Sequence, residues 1–243
     1  MQYRGEATSV EGFIQQLAVG YVARGYVFYV LGEVPEGKDP QRLDEKLVKK
    51  YGIAIGKGAR CRRKALGFAN VQYLRFKSTF ILLATPGRHE FFLEEAGQVQ
   101  DAREIPIKLF GYSVSYRNGH PHVRIEQERY LNLKAWFADV SVHRKRETLE
   151  EQFRSLWFEP YAPVRSQLHC ILREVNRRRK VAQFEVVPSS CIRSRRKILS
   201  PFEMRTPLER RSCASIEAVG SQSESAVTSA GSDVPAFESS FRT

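Results

Sequence analysis

The sequence predicts an α+β fold, with a mainly antiparallel sheet of about four or five strands and a helical C-terminal extension packed on it. Three observations carry that expectation. Two pairs of β-branched and aromatic segments, 71–76 with 79–84 and 111–116 with 120–125, are each separated by a connection short enough for a hairpin. Helical periodicity brackets them, before residue 52 and again after residue 127. Hydrophobic residues make up 42% of the 243 and aromatics 11%, enough apolar surface to fill a core, which excludes a fully disordered basic chain. The organisation expected is a sheet domain over 1–126, a helical extension over 127–200 and a disordered Ser-rich tail over 201–243.

The elements follow in order. Thr8-Ser9-Val10-Glu11 has the form of a capping box, and Val10, Phe13, Ile14, Leu17, Ala18 and Tyr21 mark one helical face that Gly25 is placed to end. Tyr26 to Val34 is β-branched and aromatic without alternation, the pattern of a strand buried on both faces. Asp39-Pro40 opens a short helix carrying Leu43, Leu47 and Val48, closed by Gly52. Lys77-Ser78 turns the first hairpin, although neither residue is a favoured turn former. In the second, Asn118-Gly119 is the strongest short hairpin signal. A two-residue turn there sets Arg117 opposite His120, Ser115 opposite His122 and Ser113 opposite Arg124 on one face. Tyr112, Val114, Tyr116, Pro121, Val123 and Ile125 then share the other. Helices are expected at Tyr130 to Val140, Glu147 to Trp157 and Val164 to Lys180. The last has an apolar stripe of Val164, Leu168, Ile171, Leu172 and Val175, and its arginines point outward.

Charge narrows the class of partner. There are 39 Lys and Arg against 27 Asp and Glu, a net +12, and because residues 201–243 are slightly acidic the first 200 are more basic still. The excess is bunched. Lys57, Arg60, Arg62, Arg63, Lys64, Arg75 and Lys77 fall together with no acidic residue between them, and a second run holds Arg177, Arg178, Arg179 and Lys180, followed by Arg193, Arg195, Arg196 and Lys197. A solvated surface normally intersperses both signs, whereas like charges this close repel and raise the cost of the compact state. An anionic partner is therefore expected. Phosphate backbone fits, with Phe68, Tyr73 and Phe76 beside the first run to stack on bases. An anionic membrane fits less well, because neither run sits on a helix with a large apolar face, and no stretch of about 18 uncharged apolar residues exists to cross a bilayer. MQYRGEATSVEGFIQQL lacks a basic segment followed by an apolar one, so no secretory signal is expected and a cytoplasmic location is.

Several chemistries lack their signatures. Cys61, Cys170, Cys191 and Cys213 form no C-x-x-C pair and no Cys/His spacing of a zinc finger, and their scatter argues against a disulfide framework. IAIGKGAR lacks the upstream glycine of a P-loop, and there is no Gly-x-Ser-x-Gly elbow or His-Glu-x-x-His helix. His89, His143 and His169 are scattered.

One constellation carries a reaction. His120-Pro121-His122 puts two imidazoles on the same face of a strand, about 6 to 7 Å apart, a spacing at which both can ligate one divalent metal. With Ser113, Ser115 and Arg124 they form a polar, cationic patch. This resembles the His-hydrophobic-His motif of the HUH single-strand endonucleases: rolling-circle initiators, relaxases and small transposases. In that family the motif lies on the central sheet of a ferredoxin-like fold, a metal polarises the scissile phosphate, and a tyrosine from a helix attacks it. The resemblance implies a ferredoxin-like sheet and His120 and His122 as ligands for Mg or Mn; its nucleophile is not marked, the candidate being Tyr130, with Lys134 one turn on, while Tyr161 is flanked by Pro160 and Pro163, which denies it a helix. Pro121 departs from the motif's setting, since it cannot donate to a ladder and forces an edge strand.

The blocks FYVLGEVPEGKDPQRLDEKLVKKYGI (28–53), ARCRRKALGFANVQYLR (59–75) and FEPYAPVRSQL (158–168) are similar to those of a family of bacterial hypothetical proteins without an assigned activity. That similarity spans most of residues 10 to 200 and implies a bacterial origin. The leading functional expectation is a nucleic-acid-binding protein of a bacterial mobile-element or replication context. Its contacts are expected from Lys57, Arg60, Arg62, Arg63, Lys64, Arg75, Lys77, Arg124, Arg177, Arg178, Arg179 and Lys180. The alternatives are a metal-dependent HUH-like nuclease, and a basic scaffold that docks an acidic protein on the helix at 164–180.

Overall fold

The first sheet forms where the sequence runs β-branched and aromatic without alternation. In the computed structural model, which describes residues 3–202, β1 (Phe28–Glu33), β2 (Val71–Phe76), β3 (Thr79–Ala84) and the two-residue β4 (Gln100–Asp101) lie in the order β2-β3-β1-β4, every neighbour antiparallel. Between β1 and β2 run α2 (Pro40–Lys50) and α3 (Lys57–Ala65), and between β3 and β4 the single turn α4 (Phe91–Glu94). That connectivity and strand order are those of the ferredoxin-like split βαβ unit. The expected Ser-rich tail and Cys213 fall outside the described residues, apart from Pro201 and Phe202.

The absence of alternation has its cause in burial on both sides. Val30, Val71, Tyr73, Leu82 and Ala84 point into a cluster with Tyr51, Ile53 and Phe91, roofed by Leu47 and Val48 of α2. Tyr29, Leu74, Ile81 and Leu83 point the other way, into a larger cluster shared with the rest of the chain.

The second sheet corrects the expectation of a single one. β5 (Ile107–Leu109), β6 (Tyr112–Arg117) and β7 (His120–Ile125) form a separate three-stranded sheet in that order. β4 and β5 are two and three residues long, too short to leave a pattern. The β6–β7 register pairs Arg117 with His120, Ser115 with His122 and Ser113 with Arg124, as the alternation predicts. Asn118 and Gly119 both take positive φ, 50° and 80°, as a type I′ turn requires. Tyr112, Val114, Val123 and Ile125 are buried in the larger cluster.

Helices cover this sheet: α5 (Gln127–Val140), α6 (Arg146–Ser155) and α7 (Ala162–Val181). The stripe Val164, Leu168, Ile171, Leu172 and Val175 is buried as expected, and Gln167 fastens α7 to β7 by accepting from Ile125 N at 2.8 Å and donating to Ile125 O at 3.2 Å. At the N-terminus, α1 (Val10–Gln15) is capped one residue later than the capping-box pattern suggests: Ser9 Oγ, not Thr8, accepts from Gly12 N. The chain then widens into a π-helical segment, Gln16–Tyr21, and a 3₁₀ turn before Gly25 ends it at φ 89°. Residues 199–201 return to α1, where Leu199 and Pro201 bond Gln15 and Thr8. Among the described residues no helix is long and apolar enough to cross a membrane.

Candidate nucleic-acid interface

The first basic run is a helix. Lys57–Ala65 reads KGARCRRKA, mostly the strong helix formers Lys, Arg and Ala broken by Gly58 and Cys61, with no apolar stripe, and it buries no residue. Ala59, Arg60 and Arg63 face the body at partial exposure, while Lys57, Arg62 and Lys64 are exposed. Asn70 donates from Nδ2 to Arg60 O at 3.0 Å, tying the helix to the start of β2. Its last turn closes through Gly67 (φ 78°) and a bond from Phe68 N to Arg63 O at 2.9 Å. Among the described residues, none of the five cations of α3 makes an ion pair, although carboxylates elsewhere in the protein are taken up in pairs. Five uncompensated charges on nine residues are a concentrated positive surface.

Beside α3 lies a cleft of about 960 Å³, lined by Phe28, Tyr51, Phe68 and Phe92 together with Lys49, Lys50, Arg63, Arg88, His89 and Glu90. Its walls are loops zipped to each other. Ala69 N bonds Arg88 O at 3.1 Å, Arg88 N bonds Gly67 O at 3.0 Å, and Thr85 N bonds Asn70 O at 3.0 Å. Gly87 sits at the tightest point with φ 136°, where a Cβ would lie 2.6 Å from Ala69 N, so no other residue fits without moving the wall. The Arg88 guanidinium lies 5.3 Å from the centre of the Phe68 ring, and Phe28 and Phe92 pack edge to face at 5.2 Å. Lys50 is paired with Glu94, whereas Lys49, Arg63 and Arg88 make no ion pair among the described residues. Tyr51 donates to Glu95, and burial pushes its phenol up to about 12, so it stays protonated. His89 Nδ1 accepts from Phe91 N at 3.0 Å, and burial together with Arg63 holds the imidazole below its ordinary value. It is neutral near pH 7, with its proton on Nε2.

The structure divides the other basic residues. Arg75 is 2% exposed and belongs to the interior: its guanidinium bonds Asp44 of α2 at 2.9 Å, Glu6 at 3.1 Å and Lys77 O at 2.8 Å. Arg179, expected to point outward, is 3% exposed and donates to the carbonyls of Ser141, Arg144 and Glu185, joining α7 to the turn after α5. Both are withdrawn from any surface contact. Arg177 and Arg178 are exposed but share Glu174, whose carboxyl they hold down to about 2. Lys77, Lys180 and Arg124 are exposed. Of the three aromatics expected to stack, Tyr73 is fully buried with its hydroxyl on Asp44, Phe76 packs edge to face on Phe110, and Phe68 alone is exposed, at 40%.

The histidine pair gathers no third ligand among the described residues. His120 and His122 lie on β7, an edge strand as Pro121 requires, and not on the four-stranded sheet. Among the described residues no three His, Cys, Asp or Glu come together to hold a metal ion. The charges that bear on His122 are Arg124 and Arg117, which, after burial, hold its imidazole below the ordinary value and would repel a dication. Tyr130 is half-buried on α5, and burial raises its phenol, the opposite of what an activated nucleophile needs. Two imidazoles facing Arg117 and Arg124, with no carboxylate beside them among the described residues, do not fit a divalent metal.

Lys49, Tyr51, Arg88, His89 and Phe92 carry no local signal of a site in the sequence, because the cleft forms where the segments flanking the open end of the first hairpin meet the end of α2. The turn signal Pro86-Gly87-Arg88 marks one wall. No family model and no curated protein matches the chain.

Proposed function

We propose that the protein binds nucleic acid through the exposed face of α3 and the mouth of the adjoining cleft. The observation that carries this reading is the five-cation helix without an ion pair among the described residues. Placing like charges side by side costs free energy in the isolated protein, and a phosphate backbone offsets it while releasing counterions. Lys57, Arg62 and Lys64 supply the exposed charges, and Arg60 and Arg63 the inner row. The α7 run contributes less, since Arg177 and Arg178 are half neutralised by Glu174 and Arg179 is buried. Unlike sheet-reading RNA modules, the four-stranded sheet has no free face to stack bases on, because clusters cover both sides.

The test is binding of a labelled oligonucleotide by wild type and by an Arg62→Glu/Lys64→Glu double variant. Phosphate contacts position without specifying, so the variant should lose affinity for unrelated sequences alike. Unchanged affinity in the double variant refutes the assignment to α3.

A further inference from the structure

We infer that the cleft beside α3 receives a single unstacked nucleotide, its base against the Phe68 and Phe92 rings and its phosphate against Arg63 and Arg88. This rests on the nucleic-acid reading and extends it by naming the ligand's chemistry: a planar base joined to a phosphate.

Size, charge and chemistry converge on that ligand. A cavity of about 960 Å³ is within the range of small-molecule sites and larger than one nucleotide needs. Phe68 leaves 40% of its surface in water at the rim, with Arg88 lying over its ring. An exposed ring with a guanidinium 5.3 Å from its centre offers a base both a π surface and a cation. Three cations of the lining, Lys49, Arg63 and Arg88, have no carboxylate partner among the described residues, against Glu90 as the lining's acidic residue. An apolar ligand would leave those cations uncompensated, and a bare phosphate would leave the rings wet. The loop walls are fixed by their own backbone bonds and by Gly87, so the site is formed before the ligand arrives. A continuous duplex keeps its bases inside the stack, where no ring in a concave site reaches them. The occupant is thus an unpaired or extruded base of a strand, or a free nucleotide.

The experiment uses the full chain, with anisotropy of a short labelled single strand, the same strand made abasic, and a blunt duplex. AMP and inorganic phosphate serve as competitors, and Phe68→Ala and Arg88→Gln as variants. The base-bearing strand should bind about tenfold more tightly than the abasic one, and Phe68→Ala should abolish that ratio while leaving abasic binding intact. AMP should displace the strand where equal phosphate does not. Equal binding of base-bearing and abasic strands, unchanged by either variant, overturns the inference and leaves the nucleic-acid reading standing. Displacement by AMP and phosphate alike also overturns it, since charge alone is then being read. Binding of AMP without binding of any strand refutes the nucleic-acid reading while keeping the cleft's ligand class.

Discussion

Arg75 and Arg62 come from the same basic run, yet their substitution should have opposite consequences. Arg75 has a side chain 3% exposed, paired with Asp44 at 2.9 Å, whose own side chain is 21% exposed. Among the described residues, Arg75→Ala leaves the Asp44 carboxylate with the Tyr73 hydroxyl alone, and it strips Lys77 O of the Arg75 donor. The contact with Glu6, 55% exposed, adds at most about 0.5 kcal/mol. Removing one member of a buried pair costs about 3–5 kcal/mol, and the partial exposure of Asp44 puts this case near about 3 kcal/mol. At about 2–4 °C per kcal/mol for a folded unit of this size, the melting temperature should fall by about 6–12 °C. Arg62 is exposed and unpaired among the described residues, so Arg62→Ala should change stability by less than about 0.5 kcal/mol. Thermal unfolding followed by circular dichroism measures both. If Arg75→Ala melts with wild type, the Arg75–Asp44 pair is not formed and the division of this run into structural and surface arginines is wrong. Equal destabilisation by both variants refutes it as well.

Two further outcomes follow from the histidines. His89 and His122 are both held below their ordinary value, so each is neutral in the fold and takes up a proton more readily in the unfolded chain. Their contribution is present above about pH 6.5 and is lost as pH falls through their lowered folded values, so stability should drop as the pH is taken below about 6.5. His89→Gln should flatten that drop in urea titrations, and an unchanged pH profile contradicts the stated environment. Saturating Mn²⁺ should leave the melting temperature where it is; a rise that His120→Ala removes would show that the β7 pair does bind metal.

How much of this was legible in the sequence depended on whether an element's signal is local. The β6–β7 register was readable because alternation and Asn118-Gly119 both fix it within fourteen residues. The two-sided burial of Tyr29 and Val30 in β1 was readable from the apolar residues around them, although Leu31 beyond them is exposed. Helix α3 was not, because it has no apolar stripe, and the same lack of packing is what leaves its charges free for a partner. Arg75 and Arg179 look like their neighbours in sequence, and only Asp44, Ser141 and Arg144, brought up by folding, take them out of the surface. The cleft is tertiary throughout: residues 49–52, 63–68 and 86–93 meet there, and no single window contains it.

The central claim is that α3 neutralises phosphates, and the salt dependence of binding tests it most directly. If four of its cations engage a single strand, the logarithm of the association constant should fall with the logarithm of salt concentration at a slope of about −3. Replacing Arg62 and Lys64 with glutamine should remove about 1.4 from that slope, two contacts' worth. An affinity indifferent to salt, or a slope the double variant leaves unchanged, would contradict the account.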